Sequence, residues 1–266
     1  MIKAAVLGSP IAHSLSPLLH ARAYELLNIQ GEYTALETSE ATLADRLDMG
    51  LRDEWSGFNL TMPLKETIFA YEKCTIDEDA KRIKSVNTVV RSGDEYCATS
   101  TDMRAFKRLL AEFPVDRVAL IGGGGTARAA VGALSGRTKF FDVLLRTPSR
   151  VDLLQAISPE SHFKVLSMDS SIEGYDVVIN TSPAGAADHL AQSLASADGL
   201  YFESLYKPWP TELSFAWKEL GGGTLNGVDL LVEQALDAIE LMTAQSFDFT
   251  SMRSALLEVA LASISS

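Results

Sequence analysis

The apolar positions of this chain change rhythm near its middle. In the first hundred residues short apolar runs alternate with amphipathic stretches. Residues 3–7 read as a short buried strand, ended by Gly8-Ser9-Pro10. Residues 16–28 place Leu18, Leu19, Ala23, Leu26 and Leu27 at helical spacing. Ser16 is expected there as the N-cap and Pro17 as the first helical residue. Further strands are predicted at 33–37, 57–61, 86–91 and 96–98, and helical stretches at 41–47, 64–71 and 77–83. Ser92-Gly93-Asp94 is expected to join the last two strands as a hairpin.

From about residue 103 the spacing becomes regular. A helix over 103–112 is followed by strands at 117–121, 139–145, 163–167, 176–180 and 199–203. A helix is expected to open at the Gly-Gly-Gly-Gly-Thr-Ala-Arg-Ala-Ala stretch after the first of these strands, and further helices at 150–156 and 211–219. Strands alternating with helices every 20–30 residues predict βαβ units and a parallel sheet. Gly222–Asn226 reads as a crossover, and two apolar helices, 228–245 and 250–263, close the chain. The expected organisation is α/β in two domains. Residues 1–102 with 226–266 form an N-terminal domain completed by C-terminal helices, and 103–225 form a nucleotide-binding unit.

Composition narrows the function classes. A net charge of −12 argues against a nucleic-acid partner, which needs a basic face. Any anionic ligand must therefore be held by a local basic pocket. Cys74 and Cys97 form no C-x-x-C pair, and the four histidines have no i, i+4 spacing, so neither a disulfide framework nor a metal site is expected. The opening apolar run is too short for a signal peptide, and no run is long enough to span a membrane. A cytoplasmic protein without membrane or nucleic-acid partners is expected, as monomer or homodimer.

The strand at 117–121 runs into Gly122-Gly123-Gly124-Gly125-Thr126-Ala127. This fits the G-x-G-x-x-A form of the dinucleotide fingerprint. Its glycines allow a tight turn and a close approach of backbone N–H groups to a pyrophosphate, at the positive end of the helix that follows. A merely flexible glycine loop would not need a strand before it and a helix after it. NAD enzymes place an acid at the end of the second strand. Asp142 has that separation but sits inside the strand, which ends instead in Arg146-Thr147-Pro148-Ser149-Arg150. Two guanidiniums and two hydroxyls on one turn suit the 2′-phosphate of NADP.

The first half carries polar residues near strand ends: Ser14 and Ser16 at a helix start, Asn59, Thr61 and Lys65, then Asn87-Thr88 and Thr101-Asp102. Each has an ordinary reading: Asn59 and Asn87 as turn residues, Lys65 as a solvated lysine, Asp102 as an N-cap. Together, hydroxyl, amide, ammonium and carboxylate suit a polyhydroxylated acid. At this point GSPIAHSLSPLLH, GFNLTMPLK, SVNTVV, STD, GGGGTARAA, LRTPSR, INTSPAG, LYKPWPTEL and GVDLLVEQA resemble, in order and over nearly the whole chain, the motifs of shikimate dehydrogenases. The family reduces 3-dehydroshikimate to shikimate with NADPH in the aromatic amino-acid pathway.

The resemblance implies a substrate domain and a Rossmann-type NADP-binding domain. It makes Lys65 and Asp102 the catalytic pair and assigns the substrate carboxylate to Ser14 and Ser16. Thr61, Asn87 and Gln234 would bind ring hydroxyls, with Tyr206 nearby. Gly122, Gly123, Gly124, Gly125 and Thr126 would hold the pyrophosphate. Arg146, Thr147 and Arg150 would hold the 2′-phosphate, and Thr181 and Gly227 would lie near the nicotinamide. No metal is implied. The chain departs from the family pattern at Ser100 (usually Asn), Lys84-Ser85 (usually Gly-Ala), Leu145 (usually Asn) and Asp229-Leu230 (usually Gly-Met). Two other functions remain open at this level. One is a relative acting on quinate or another shikimate-like acid; the other is a non-catalytic NADP-binding sensor. The basic loop counts against the first, and retention of both Lys65 and Asp102 against the second.

Overall fold

The strand Gly57–Leu60 is buried at every position, as a strand covered on both faces must be. It lies within the first of two six-stranded sheets in the computed structural model, which describes residues 1–264. The strands of that sheet are β1 (Ile2–Gly8), β2 (Gly31–Glu37), β3 (Gly57–Leu60), β4 (Cys74–Ile76), β5 (Thr88–Ser92) and β6 (Glu95–Thr99), in the order β2-β1-β3-β5-β6-β4. β1 is parallel to β2 and β3, and β5 is antiparallel to β3 and β6. The ends of β1, β3 and β6 and the start of β5 therefore share one edge of the sheet. Side chains alternate along β1: Ala5 and Leu7 pack with Phe58, Leu60, Leu47 and Tyr96. Ala4 and Val6 pack on the other face with Tyr24, Tyr33 and Met242. The helices around this sheet include α1 (Ser16–Leu26), α2 (Leu43–Arg52), α3 (Leu64–Thr67) and α4 (Glu78–Ile83).

The chain continues through α5 (Thr101–Leu109) into β7 (Arg117–Ile121), α6 (Gly125–Leu134), β8 (Phe140–Leu144), α7 (Val151–Ile157), β9 (His162–Leu166), β10 (Val177–Asn180), β11 (Leu200–Glu203), α8 (Glu212–Glu219) and β12 (Gly223–Leu225). All six strands are parallel, in the order β12-β11-β10-β7-β8-β9. That is the doubly wound order of a Rossmann sheet, whose direction reverses between β7 and β10. Trp217, Tyr201, Leu213, Val178 and Ile121 lie in its core. The chain ends in α9 (Gly227–Thr243) and α10 (Phe249–Ile264). Two compact units result, Met1–Arg104 with Leu231–Ser266, and Ala105–Leu230; the divisions fall inside α5 and α9.

Several local expectations are corrected. Gly222–Asn226 is no mere crossover, because Gly223–Leu225 pairs with β11 as the sheet's edge strand. β4 was not expected at all; three residues are too few to show a period, and pairing with β6 forms it. Ser16 does not cap α1. It is the first helical residue, Pro17 the second, and no side chain caps Leu15 before them. The helix expected over 64–71 is α-helical only to Thr67 and continues as a 3-10 turn to Ala70. Helix α5 begins two residues earlier than its spacing predicts, since Ser100 Oγ accepts from Met103 N at 3.3 Å. Asp102 thus lies in the first turn and is not the cap.

Candidate functional site

Within the first unit, the shared sheet edge gathers most of the polar residues singled out in the sequence. Thr61 follows β3, and its backbone N–H donates to Leu7 O at 2.9 Å. Its methyl crowds Gly8 so closely that no side chain would fit on Gly8. Lys65 stands on α3, one turn beyond. Asp102 stands on α5, just after β6. Lys65 Nζ donates to Asp102 Oδ2 at 2.6 Å, with Asp102 buried and the lysine side chain 19% exposed. One carboxylate oxygen thus holds the ammonium. The other, Oδ1, accepts from Asn87 Nδ2 at 3.1 Å, while Asp102 N donates to Asn87 Oδ1 at 3.2 Å.

Asn87 also reaches Thr101 Oγ1 at 2.7 Å and Gln234 Oε1 at 3.3 Å. Gln234 arrives on α9, far along the chain, and anchors itself through Nε2 to Leu231 O at 2.8 Å. Lys65, Asp102, Asn87 and Gln234 are therefore one hydrogen-bonded group. Asn59 is not a turn residue but sits inside β3. It accepts from Tyr33 OH at 2.6 Å and donates to Thr88 Oγ1 at 2.9 Å. Ser14 and Ser16 lie at the start of α1, where Ser14 Oγ accepts from Ser16 N at 3.3 Å. That explains one serine as a turn former and leaves the buried Ser16 to Tyr33, whose hydroxyl it neighbours.

In the second unit the glycine loop leaves β7 at the sheet's reversal point. Gly122 has φ +104, and a Cβ there would stand 2.6 Å from Thr181 Oγ1. Thr181 follows β10, the strand beside β7. It ties the two strand ends together by donating N–H and Oγ–H to Ile121 O at 2.8 and 2.9 Å. A Cβ on Gly123 would meet Leu145 Cδ2 at 3.0 Å and Arg150 Cβ at 3.3 Å, whereas nothing lies within 4 Å of one on Gly124. The loop is thus closed beneath and open above Gly124. No side chain caps α6, whose first residues are Gly125 and Thr126. An uncapped helix start under an open glycine face fits a dinucleotide pyrophosphate. The stem of Arg150 runs against Gly123, which sets the exposed turn Arg146–Arg150 beside that loop. Asp142 lies inside β8, accepting from Tyr175 OH at 2.7 Å with Arg117 at 3.8 Å.

Asp229, the departure nearest the expected nicotinamide end, has a structural use. Asn226 Oδ1 accepts from Val228 N at 2.7 Å and Asp229 N at 3.3 Å, and Asp229 Oδ2 accepts from Asn226 N at 3.1 Å. This reciprocal capping box begins α9. Gly227, between them, is pressed against the backbone of Ser204–Tyr206, where any side chain would collide. Tyr206 belongs to the second unit, between β11 and α8. Its segment hangs on a residue the sequence reading missed. Glu203 is fully buried and accepts from Tyr201 OH at 2.7 Å, Asn180 Nδ2 at 2.9 Å, Leu205 N at 3.2 Å and Thr211 Oγ1 at 3.3 Å. Burial raises its pKa, and the four donors offset that in part. The signal was a single acid ending an otherwise apolar strand, Leu-Tyr-Phe-Glu. Among the described residues no group of acids, cysteines and histidines is arranged to hold a metal, and no helix is long and apolar enough to cross a membrane.

The same arrangement of elements recurs in known proteins. Residues 6–89 match the model of the shikimate dehydrogenase substrate binding domain. The shikimate dehydrogenase (NADP(+)) of Bacillus subtilis is 35% identical over 265 residues, 94% of each chain. The crystal structure of Mycobacterium tuberculosis shikimate dehydrogenase, 31% identical, superposes with a TM-score of 0.87 over 96% of this chain and 99% of that one. That of the Thermus thermophilus shikimate 5-dehydrogenase in complex with NADP(H) and shikimate, 28% identical, does so with a TM-score of 0.83 over 97% and 100%.

Proposed function

Since this chain belongs to the shikimate dehydrogenase family, we propose that it reduces 3-dehydroshikimate to shikimate with NADPH, reversibly, in aromatic amino-acid biosynthesis. It is an NADP-dependent oxidoreductase of shikimate- and quinate-like hydroxy acids. The observation that carries the finer reading is the Lys65–Asp102 contact of 2.6 Å, joined through Asn87 to Gln234. An ammonium, a carboxylate and two amides on one sheet edge match a ketone flanked by ring hydroxyls.

The nicotinamide, when bound, supplies hydride to the ketone carbon or takes it from the alcohol. The protein handles charge and position. As the carbonyl oxygen gains negative charge, the Lys65 ammonium stabilises it and donates a proton. In the reverse direction Lys65, as the neutral amine, accepts the proton of the hydroxyl. Asp102 fixes the ammonium through Oδ2 and is itself fixed through Oδ1 by Asn87, so the donor is held before the substrate arrives. Ser14 and Ser16 bind the substrate carboxylate, and Thr61, Asn87 and Gln234 bind ring hydroxyls. Gly122 to Thr126 hold the pyrophosphate through backbone N–H groups, with Thr181 and Gly227 at the nicotinamide end. Arg146, Thr147 and Arg150 hold the 2′-phosphate, for which a guanidinium gives bidentate, charge-assisted bonds.

The test is product identity. Incubation of 3-dehydroshikimate with NADPH, followed by chromatography against authentic standards, is expected to yield shikimate in step with NADPH consumed. Consumption of NADPH only with a different ketone would reassign the substrate.

A further inference from the structure

Each unit has buried polar chemistry outside the residues assigned so far. The set with the fullest geometry begins at Tyr33 and ends at Gln234. Its members are buried, and their hydrogen bonds can be given a direction. We infer that Thr101, to which no role has been assigned, is a positioning residue that sets the donor–acceptor orientation of Asn87 and Gln234. The inference deepens the functional reading above and rests on it.

The direction follows from backbone groups whose polarity is fixed. A carbonyl can only accept, and an N–H can only donate. Asn87 O faces Asn59 at 3.2 Å, so the facing atom of Asn59 is its nitrogen. The other hydrogen of that nitrogen goes to Thr88 Oγ1 at 2.9 Å. Thr88 then accepts from Asn59, and the arrangement that leaves no buried hydroxyl hydrogen idle has Thr88 donate to Thr101 Oγ1 at 3.0 Å. Independently, Asp102 N fixes Asn87 Oδ1 as an acceptor, so Asn87 Nδ2 is what faces Thr101 at 2.7 Å. Thr101 Oγ1 thus receives two hydrogens. Its own has one partner, Gln234 Oε1 at 3.4 Å. At the far end Leu231 O fixes Gln234 Nε2 as a donor, so its oxygen is what turns toward Thr101. Three independent backbone constraints therefore agree, and the buried hydroxyl of Thr101 is where they meet.

This polarity has a chemical consequence. Gln234 has its oxygen committed inward and one N–H committed to Leu231, which leaves its second N–H to donate to a ligand. Asn87 has its two N–H groups committed inward, which leaves the second lone pair of Oδ1 to accept. A donor and an acceptor side by side suit a hydroxyl, which is both, and disfavour an ether or a deoxygenated carbon. Thr101 has no exposed surface to offer a ligand. It acts through the two amides.

The experiment compares Thr101→Val, which replaces the hydroxyl by a methyl, with Thr101→Ser, which keeps it. KM and kcat are measured for shikimate, with KM for NADP as the internal control. Thr101→Val is expected to raise the shikimate KM by about tenfold while leaving the NADP KM unchanged. Thr101→Ser is expected to stay within about threefold of wild type. In a Gln234→Ala background Thr101→Val should cost several-fold less, because the group it orients is gone. A shikimate KM within threefold of wild type for Thr101→Val, or an identical penalty in both backgrounds, would overturn the inference. If the valine variant does not fold, Thr101→Ala against Thr101→Ser isolates the hydroxyl by the same criterion. Absence of shikimate turnover by the wild-type enzyme overturns the functional reading and the inference together. Normal wild-type turnover with an indifferent Thr101→Val overturns the inference alone.

Discussion

Lys65 and Asp102, 37 residues apart in the chain, meet at 2.6 Å because β3 and β6 end on the same edge of one sheet. α3 and α5 begin there, and each delivers its charged residue within its first two positions. The pair is a consequence of topology and not of a local motif. Lys65→Ala should lower kcat by at least ~10² in both directions if, as proposed, Lys65 stabilises the developing charge and transfers the proton. Asp102→Asn, which keeps the shape but not the charge, should also lower kcat more than it raises the NADP KM. Steady-state kinetics checks both, and a Lys65→Ala enzyme within a few-fold of wild type would remove lysine from the chemistry.

The stem of Arg150 lies on Gly123, 3.3 Å from where a side chain would begin. That contact sets the stem of Arg150 beside the glycine loop, with Arg146 at the other end of the same turn. Arg146→Ala combined with Arg150→Ala should raise Kd for NADP by about 10²-fold and leave Kd for NAD within a few-fold, since a charge-assisted bond to phosphate is worth about 1.5–3 kcal/mol. Fluorescence titration with both cofactors measures this. Equal losses would mean that the turn does not read the 2′-phosphate.

How far the sequence revealed these features depends on their length and range. β1 and β7 were legible from the apolar runs Ala4–Leu7 and Val118–Ile121, because a strand buried on both faces is largely apolar. The glycine loop was legible because backbone geometry demands glycine at Gly122. β4 and β12 were not, since three residues carry no period and an edge strand exists by pairing alone. Asn59 and Asn87 had ordinary readings as turn residues. Only the sheet shows that both are buried and that their amides are oriented by backbone groups from other elements. Asp229 looked like a possible change at the cofactor end, and its bond to Asn226 N shows a capping use that spacing alone did not bring out. Gln234 could be assigned only through the family resemblance, because nothing local links α9 to β5.

Lys84 ends α4 with φ 49 and ψ 42, a left-handed conformation that glycine adopts without strain. It stands where the family usually has glycine. Lys84→Gly is therefore expected to raise stability by roughly 1 kcal/mol, the relief of a non-glycine residue in that region less the added freedom of the unfolded chain. Urea unfolding reads the change, and a lower midpoint with an unchanged slope would contradict it.

His20 is fully buried and stacked on Tyr33 with ring centroids 3.7 Å apart. Burial lowers its pKa to about 3. An unfolded histidine takes up a proton near pH 6.5, whereas the folded one stays neutral until about pH 3. The stabilisation tied to neutral His20 is therefore full above pH 6.5 and is lost as pH falls, by roughly 2 kcal/mol at pH 5. His20→Phe should flatten that part of the stability profile. Unfolding free energies of both proteins at pH 7 and pH 5 check this, and equal acid sensitivity would refute it.

The central claim is that one chain joins a shikimate site to an NADP site, and absorbance at 340 nm tests it most directly. Shikimate and quinate are each offered with NADP and with NAD, in all four pairings. The account predicts kcat/KM highest by at least ~10-fold for shikimate with NADP, the pairing of the proposed substrate with the cofactor whose 2′-phosphate the basic turn is proposed to hold. Preference for quinate with NAD would contradict both assignments, and NADP binding without turnover in any pairing would contradict the substrate assignment and favour a divergent substrate or a sensor.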